Sequence, residues 1–317
     1  MRLSVAIPIH NEEAVLPELI ARVTAVLDAL PGGPHQLVLV DDGSRDRSLQ
    51  LLEAAAATDD RIVVVSLSRN FGHQAALTAG MDQVDGDAAL VMDGDLQDRP
   101  EEIPRLVAKL EEGYDVVYAH RVRRKEGILL RSAYFLFYRF LTTMSELKLP
   151  LDAGDFSIMS RRVVTAIRSA PEHNRYLRGL RTWVGFRQTG LEIERAERLA
   201  GTSKYSFGAL LRLGLDGIFS FSTAPLRAAS VLGAIGIMLS VLFTLYAIYA
   251  RIVLHRSPEG FTAVIGVMTF LSGLNLFFLG IIGEYVGRVY EEAKARPLYV
   301  VTRIIGNGRD AEPGVSR

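Results

Sequence analysis

The sequence predicts an α/β protein: a Rossmann-like, mostly parallel sheet followed by two C-terminal transmembrane helices. Three observations predict it. Strand and helix patterns alternate from residue 3 to residue 119. A polar cluster follows each of the first four strands. Residues 228–250 and 261–283 contain no charged side chain.

The elements follow in order. "LSVAIPI" (3–9) is a strand, and residues 13–30 carry apolar side chains at three- and four-residue spacing, which predicts a helix. "QLVLVD" (36–41), "RIVVVSL" (61–67), "DAALVMD" (87–93) and "YDVVYA" (114–119) predict four further strands. Helical patterns over 45–57, 72–84 and 101–113 separate them. Short runs rich in β-formers with few polar residues suit a parallel sheet covered on both faces. In such sheets ligands sit beyond the carboxyl ends of the strands. The polar clusters obey that rule: "HNEE" after the first strand, "DDGSRD" after the second, "SRNFG" after the third and "DGDLQD" after the fourth.

Composition narrows the chemistry. At 317 residues the chain makes one large or two modest domains. Acids and bases balance at 36 each, so nucleic-acid binding has no bulk electrostatic support. With no cysteine, disulfides, zinc-thiolate sites and thiol catalysis are excluded. The histidines form no HExxH, no GxGxxG follows the first strand, and no GxxxxGK[ST] occurs. The start, "MRLSVAIPIHNEE", reads as a first strand rather than a signal peptide.

"VMDGDLQDRP" (91–100) runs an apolar strand into a cluster of acids. The period-two pleat predicts Asp93 and Asp95 on one side, where two carboxylates repel unless a positive charge lies between them. Oxygen ligands suit Mg²⁺ or Mn²⁺. An EF-hand is excluded, because its sixth position would be Asp98 and its twelfth Pro104. The alternative is a polar turn after a strand. Of Asp41 and Asp42, at least one is expected to cap the helix starting near Ser44 and at least one to touch ligand, through a nucleobase N–H or ribose hydroxyls.

The two uncharged stretches each exceed the about 20 residues needed to cross a hydrocarbon core. Two spans return the chain to its starting side. The link 251–260 carries Arg251 and Arg256, whereas Arg212, Arg227, Arg288, Lys294 and Arg296 lie on the other side and favour both termini inside. Residues 127–144 and 203–221 mix aromatic and aliphatic side chains with basic ones and read as interfacial amphipathic helices, with core helices as the alternative. The expected organisation is a catalytic domain over 1–200, juxtamembrane helices over 201–226, the two spans over 227–285 and a cytoplasmic tail over 286–317.

With "IPIHNEE", "VDDGSRDRS", "RNFGHQAALTAG" and "MDGDLQDRPEEI" in hand, the chain resembles family 2 glycosyltransferases of the GT-A fold. "DAGDFSIMSRR" (152–162), "ERLAGTSKYSF" (197–207) and the two spans make it similar to polyprenyl-phosphate glycosyltransferases, among them dolichyl-phosphate mannose synthases and bacterial two-span glucosyltransferases. The resemblance implies that Pro8, His10, Asn11 and Glu12 line a nucleotide site, where the family often has tyrosine at the position of His10. It implies that Asp41 and Asp42 hold uracil and ribose, and that Asp93 and Gly94 reach the ribose or diphosphate. Asp93, Asp95 and Gln97 would hold Mg²⁺ or Mn²⁺. Arg198 and Lys204 would neutralise the donor diphosphate, a basic patch facing anionic lipid being the alternative. Asp155 would sit near the reacting centre, usually as base. A phosphate monoester has its second pKa at about 6 and needs little deprotonation, so orienting the sugar is a second role for that acid. Arg121 and Arg131 would collect the acceptor phosphate.

The activity implied is inverting transfer of a sugar from a nucleotide-sugar donor, UDP-glucose favoured, to polyprenyl phosphate at the cytoplasmic face of a bacterial inner membrane, in service of envelope glycans. The partners implied are donor, lipid acceptor, membrane and a second copy of the chain, with no nucleic acid. Two rivals stand beside it. A processive polysaccharide synthase would show a QxxRW motif and more spans, but Trp183 follows Arg181-Thr182 without that motif. A non-catalytic nucleotide-sugar-binding anchor would have no need of Asp93, Asp95 and Asp155.

Overall fold

The computed structural model describes residues 1–121, 153–170, 172, 175–193, 224–253 and 260–306. These fall into two compact units: the described residues up to 193 together with 295–306, and the segment 224–294.

The first unit is one eight-stranded sheet with helices on both faces. Its strands are β1 (Leu3–Ile9), β2 (Gln36–Asp41), β3 (Ile62–Leu67), β4 (Ala88–Val91), β5 (Val116–Arg121), β6 (Ala153–Ser160), β7 (Gln188–Ile193) and β8 (Val301–Ile305). The order is β7-β5-β6-β4-β1-β2-β3-β8. The centre is parallel, as expected: β4, β1, β2 and β3 pair in one direction. β6 is antiparallel to both β4 and β5, and β8 closes the far edge antiparallel to β3. Sequence periodicity misses β6, β7 and β8. "AGDFSIMS" and "QTGLEI" carry glycine and polar residues that blunt the strand signal, and "VTRII" lies beyond the apolar stretches, where it reads as tail.

Alternation along β1 divides the core. Leu3, Val5, Ile7 and Ile9 face a cluster with helices α1 (Leu16–Ala29), α2 (Ser48–Ala56) and α4 (Ile103–Glu111). Ala6, Val38 and Val40 face the opposite cluster, which holds α3 (His73–Gln83), α5 (Arg161–Ser169) and α6 (Leu177–Trp183). In α1 the buried Leu16, Leu19, Val23 and Leu27 recur at helical spacing, and Pro17 occupies the first turn, where a missing N–H costs nothing. Each such side chain contributes roughly 1.5–3 kcal/mol by burial. Leu19→Asp would put an unpaired charge there and break this face.

The second unit is a pair of long helices, α7 (Ala224–Ile252) and α8 (Phe261–Lys294), which pack against one another. Their stretches Ala229–Ala250 and Phe270–Lys294 have mean hydropathies of 2.3 and 1.4, yet among their described side chains only Ala250 is buried. Phe270 is 68% exposed and Leu276 69%, part of an exposed apolar surface of the kind that marks a protein or membrane contact. The expected end of the spans at 285 falls inside α8, and the expected tail contributes β8 to the sheet.

Candidate active site

The loops after β1, β2 and β3 meet at the carboxyl edge and are tied together by short polar links. Asn11 takes a left-handed conformation (φ 55°), which asparagine tolerates better than most residues. Its backbone N–H donates to Ser44 Oγ (3.0 Å), and its Oδ1 accepts from the Arg45 N–H (2.8 Å). The Glu12 N–H donates to Ser48 Oγ (3.0 Å). His10 donates through Nδ1 to the Asp42 carbonyl (2.9 Å), which leaves Nε2 to accept from the side-chain amides of Asn11 (3.0 Å) and Asn70 (3.1 Å). Pro8, half-buried, pairs with Val40 beside these loops.

Both acids of "DDG" are engaged. Asp41 Oδ1 accepts from the Ser44 N–H (3.2 Å), a turn cap. Asp42 reaches further: its two oxygens accept from the Phe71 and Gly72 N–H groups (2.7 and 3.0 Å), just ahead of α3. Burial raises the pKa of Asp42 and outweighs these two bonds, which favour its charge. Gly43 makes the approach possible. It sits at φ 63°, and a Cβ there would lie 2.5 Å from the Arg69 carbonyl carbon.

The acid cluster is built differently. β4 ends at Val91, so Asp93 and Asp95 lie beyond the ladder, and the expected strand pleat does not place them. Exposure still alternates, with Asp93, Asp95 and Gln97 half-buried between buried Gly94, Leu96 and Asp98. Asp95 Oδ1 accepts from the Gln97 N–H (3.1 Å), which makes a turn. Gly94 lets this turn close on β1, since a Cβ would lie 2.7 Å from Ile9 Cδ1.

The partner of Asp93 comes from β6. Val91↔Ser157 is the last pair of β4 with β6, and Asp93 and Asp155 each lie two residues beyond it. His73, the first residue of α3, stands against both: its Nε2 is 3.5 Å from Asp93 Oδ1 and 3.6 Å from Asp155 Oδ2. Burial works against charge on this imidazole, but the two carboxylates prevail and raise its pKa. A histidine thus stands between the two acids. Asp155 is buried and held bidentately by Arg178 from α6, Nε to Oδ1 at 2.7 Å and Nη2 to Oδ2 at 2.8 Å. Burial alone would raise its pKa; the Arg178 pair overrides it and holds the carboxyl far below the usual range. Arg181, one turn along, is buried, which lowers its pKa to about 10.

One ligand atom each from His73, Asp93 and Asp155 lies within 4.8 Å of the others. Two carboxylates and an imidazole fit Mn²⁺ well and Mg²⁺ through their oxygens. Asp95 stands next in the chain but is not part of that group.

The structure thus brings His10, Asn11, Glu12, Asp41 and Asp42 together, and sets Asp93 against Asp155. Arg121 ends β5, while Arg131, Arg198 and Lys204 lie outside the described residues. Sequence reasoning missed His73, Asn70, Arg178 and Arg181. "RNFGH" and "LRGLR" carry the polar groups, but nothing in their spacing points to acids far away in the chain.

An α/β sheet with acids at its carboxyl edge and two long apolar helices defines a class, and comparison names it: residues 4–168 match Glycosyl transferase family 2. The chain belongs to this family, is a glycosyltransferase, and has the GT-A fold. It is 41% identical to an uncharacterized glycosyltransferase of Bacillus subtilis (strain 168), over 96% of this chain and 95% of that one. It is 37% identical to the bactoprenol glucosyl transferase of Shigella phage SfX, over 95% and 99%. Among solved structures, a Mycobacterium tuberculosis glucosyl-3-phosphoglycerate synthase complex with Mn²⁺, UDP-glucose and phosphoglyceric acid overlaps with a TM-score of 0.46 at 21% identity, covering 69% of this chain and 79% of that one.

Proposed function

We propose that this protein transfers a hexosyl group, glucose favoured, from a UDP-sugar to polyprenyl phosphate at the cytoplasmic face of a bacterial inner membrane. The observation that carries the reading is likeness to bactoprenol glucosyl transferases along almost the whole chain, the two apolar helices included. An acceptor that cannot leave the bilayer needs an enzyme anchored in it. The chain leaves the catalytic sheet for α7 and α8 and returns to it as β8, so two crossings would put both flanks on one side.

In this reading the loops after β1 to β3 hold the nucleoside, with His10, Asn11, Asp41 and Asp42 fixing their shape. Asp93, with Asp95, Gln97, His73 and Asp155 as further donors, would hold Mg²⁺ or Mn²⁺. When bound, that ion would offset charge on the leaving diphosphate. Gly94 keeps this turn against β1, and Arg198 and Lys204 would add cations to the same diphosphate. Arg121 and Arg131 would meet the acceptor phosphate. That phosphate is mostly dianionic at neutral pH and attacks without a strong base. Asp155 acts as a fixed charge that orients groups at the reacting centre.

A covalent intermediate would need a carboxylate set aside on the opposite face of the sugar, a role this reading gives to no residue, whereas a single in-line displacement needs only positioning and charge. It inverts the anomeric centre, so an α-linked donor gives a β-linked lipid phosphate. Purified protein should release UDP from one member of a nucleotide-sugar panel only when polyprenyl phosphate and Mg²⁺ or Mn²⁺ are present. Release that is indifferent to the lipid would overturn the reading.

A further inference from the structure

Helix α6 carries two arginines to which the transfer reading gives no substrate. Arg178 and Arg181 are three residues apart, so they share a face of the helix. Arg178 gives one edge of its guanidinium, Nε and Nη2, to Asp155. Among the described residues its Nη1 makes no hydrogen bond, and the side chain is 31% exposed. Arg181 is 1% exposed, and among the described residues its Nε and Nη2 have no hydrogen-bond partner. Its neighbours are the Gly154 carbonyl, 3.4 Å from Nη1, and the Tyr118 ring, 4.8 Å from the guanidinium carbon.

This is an unbalanced arrangement. The two guanidiniums are close enough to disfavour each other's charge, and the carboxylate beside them is bonded to only one. Buried donors without acceptors are rare because they forfeit hydration and gain nothing in return. A staple between β6 and α6 would require Arg178 alone. A second, buried cation behind it has a use if an anion joins the cluster.

We infer that Arg178, steered by Asp155 and backed by Arg181, binds a phosphate oxygen of the substrates. The planar guanidinium offers paired N–H groups that match phosphate geometry, and Asp155 fixes which edge is presented. Asp155 is then a positioning residue for this cation. The inference rests on the glycosyl-transfer reading for its ligand class, a phosphate monoester or diphosphate. That phosphate can come from the lipid acceptor or from the nucleotide donor.

The test uses the full chain in detergent, with two calorimetric titrations that need no turnover: UDP with Mg²⁺, and a short-chain isoprenyl phosphate. Arg178→Gln should weaken one of them about 10-fold or more, and Arg178→Lys should weaken the same one less. Loss confined to isoprenyl phosphate assigns the acceptor; loss confined to UDP assigns the donor. Unchanged affinity for both in Arg178→Gln, whatever happens to melting temperature or turnover, overturns the inference. If that variant does not fold, unchanged affinities in Arg178→Lys overturn it. Because both titrations are independent of catalysis, absence of sugar transfer by the wild type would reject the proposed reaction without deciding this one.

Discussion

The two halves of the site are held by different forces. Around the loops after β1, β2 and β3, backbone N–H groups are capped by Asp, Asn and Ser side chains, and glycine permits close approach. Around β4, β6 and α6, charge faces charge: Asp93 and Asp155 just beyond the last pair of β4 with β6, His73 against both, Arg178 on Asp155. The first half is a shaped cradle that many small bonds keep in place. The second is an electrostatic device, in which each member holds the charge state of the next. Damage to the first should appear in stability and nucleoside affinity, and damage to the second in turnover and phosphate binding.

The largest separation is expected from Asp155→Asn. Transfer should fall by about 10³-fold or more, since a fixed charge at the reacting centre is lost. Calorimetric affinity for UDP without metal should stay within a few-fold. Loss of UDP binding instead would merge the two halves. Arg178 also loses its anchor, and a stability loss of about 1–3 kcal/mol is expected, discounted for its partial exposure.

Metal removal comes next. Chelator should abolish transfer, and Mg²⁺ or Mn²⁺ should restore it, while chemical denaturation of the catalytic unit stays nearly unchanged because the cradle does not use the ion. Full turnover in excess EDTA would refute the metal assignment.

Gly43→Ala probes the cradle. A left-handed alanine costs about 1–2 kcal/mol, and its Cβ would collide with the backbone at Arg69. UDP affinity should fall about 10-fold, with turnover of bound substrate far less affected. A turnover defect with normal UDP affinity would contradict the division.

The smallest effect belongs outside both halves. Tyr299, beside β8, donates its hydroxyl to Asp82 Oδ2 at 2.5 Å. Tyr299→Phe should cost about 0.5–1.5 kcal/mol in denaturant unfolding and leave both halves intact.

The cradle was largely legible in the sequence. "IPIHNEE" and "VDDGSRD" pair strand ends with side chains that hydrogen-bond locally, so residue type and position already carry the role. Even there the partner of Asp42 was hidden, because Phe71 and Gly72 reach it only after β3 has aligned beside β2. The apolar helices were equally plain, since length and absence of charge are properties of the string itself.

What the sequence determined by itself is what depends on near neighbours: the first five strands, the helices between them, the two long apolar segments and the acids of "DGD". What only tertiary structure decided is which acid faces Asp93. Sequence spacing pointed to Asp95, two residues away, but the strand stops at Val91 and that neighbour turns to bond the Gln97 N–H. Antiparallel pairing brings Asp155 instead, from a strand whose glycine and polar residues obscured it. His73 and Arg178 then gather because a buried and a half-buried carboxylate favour positive charge at a distance no local pattern encodes.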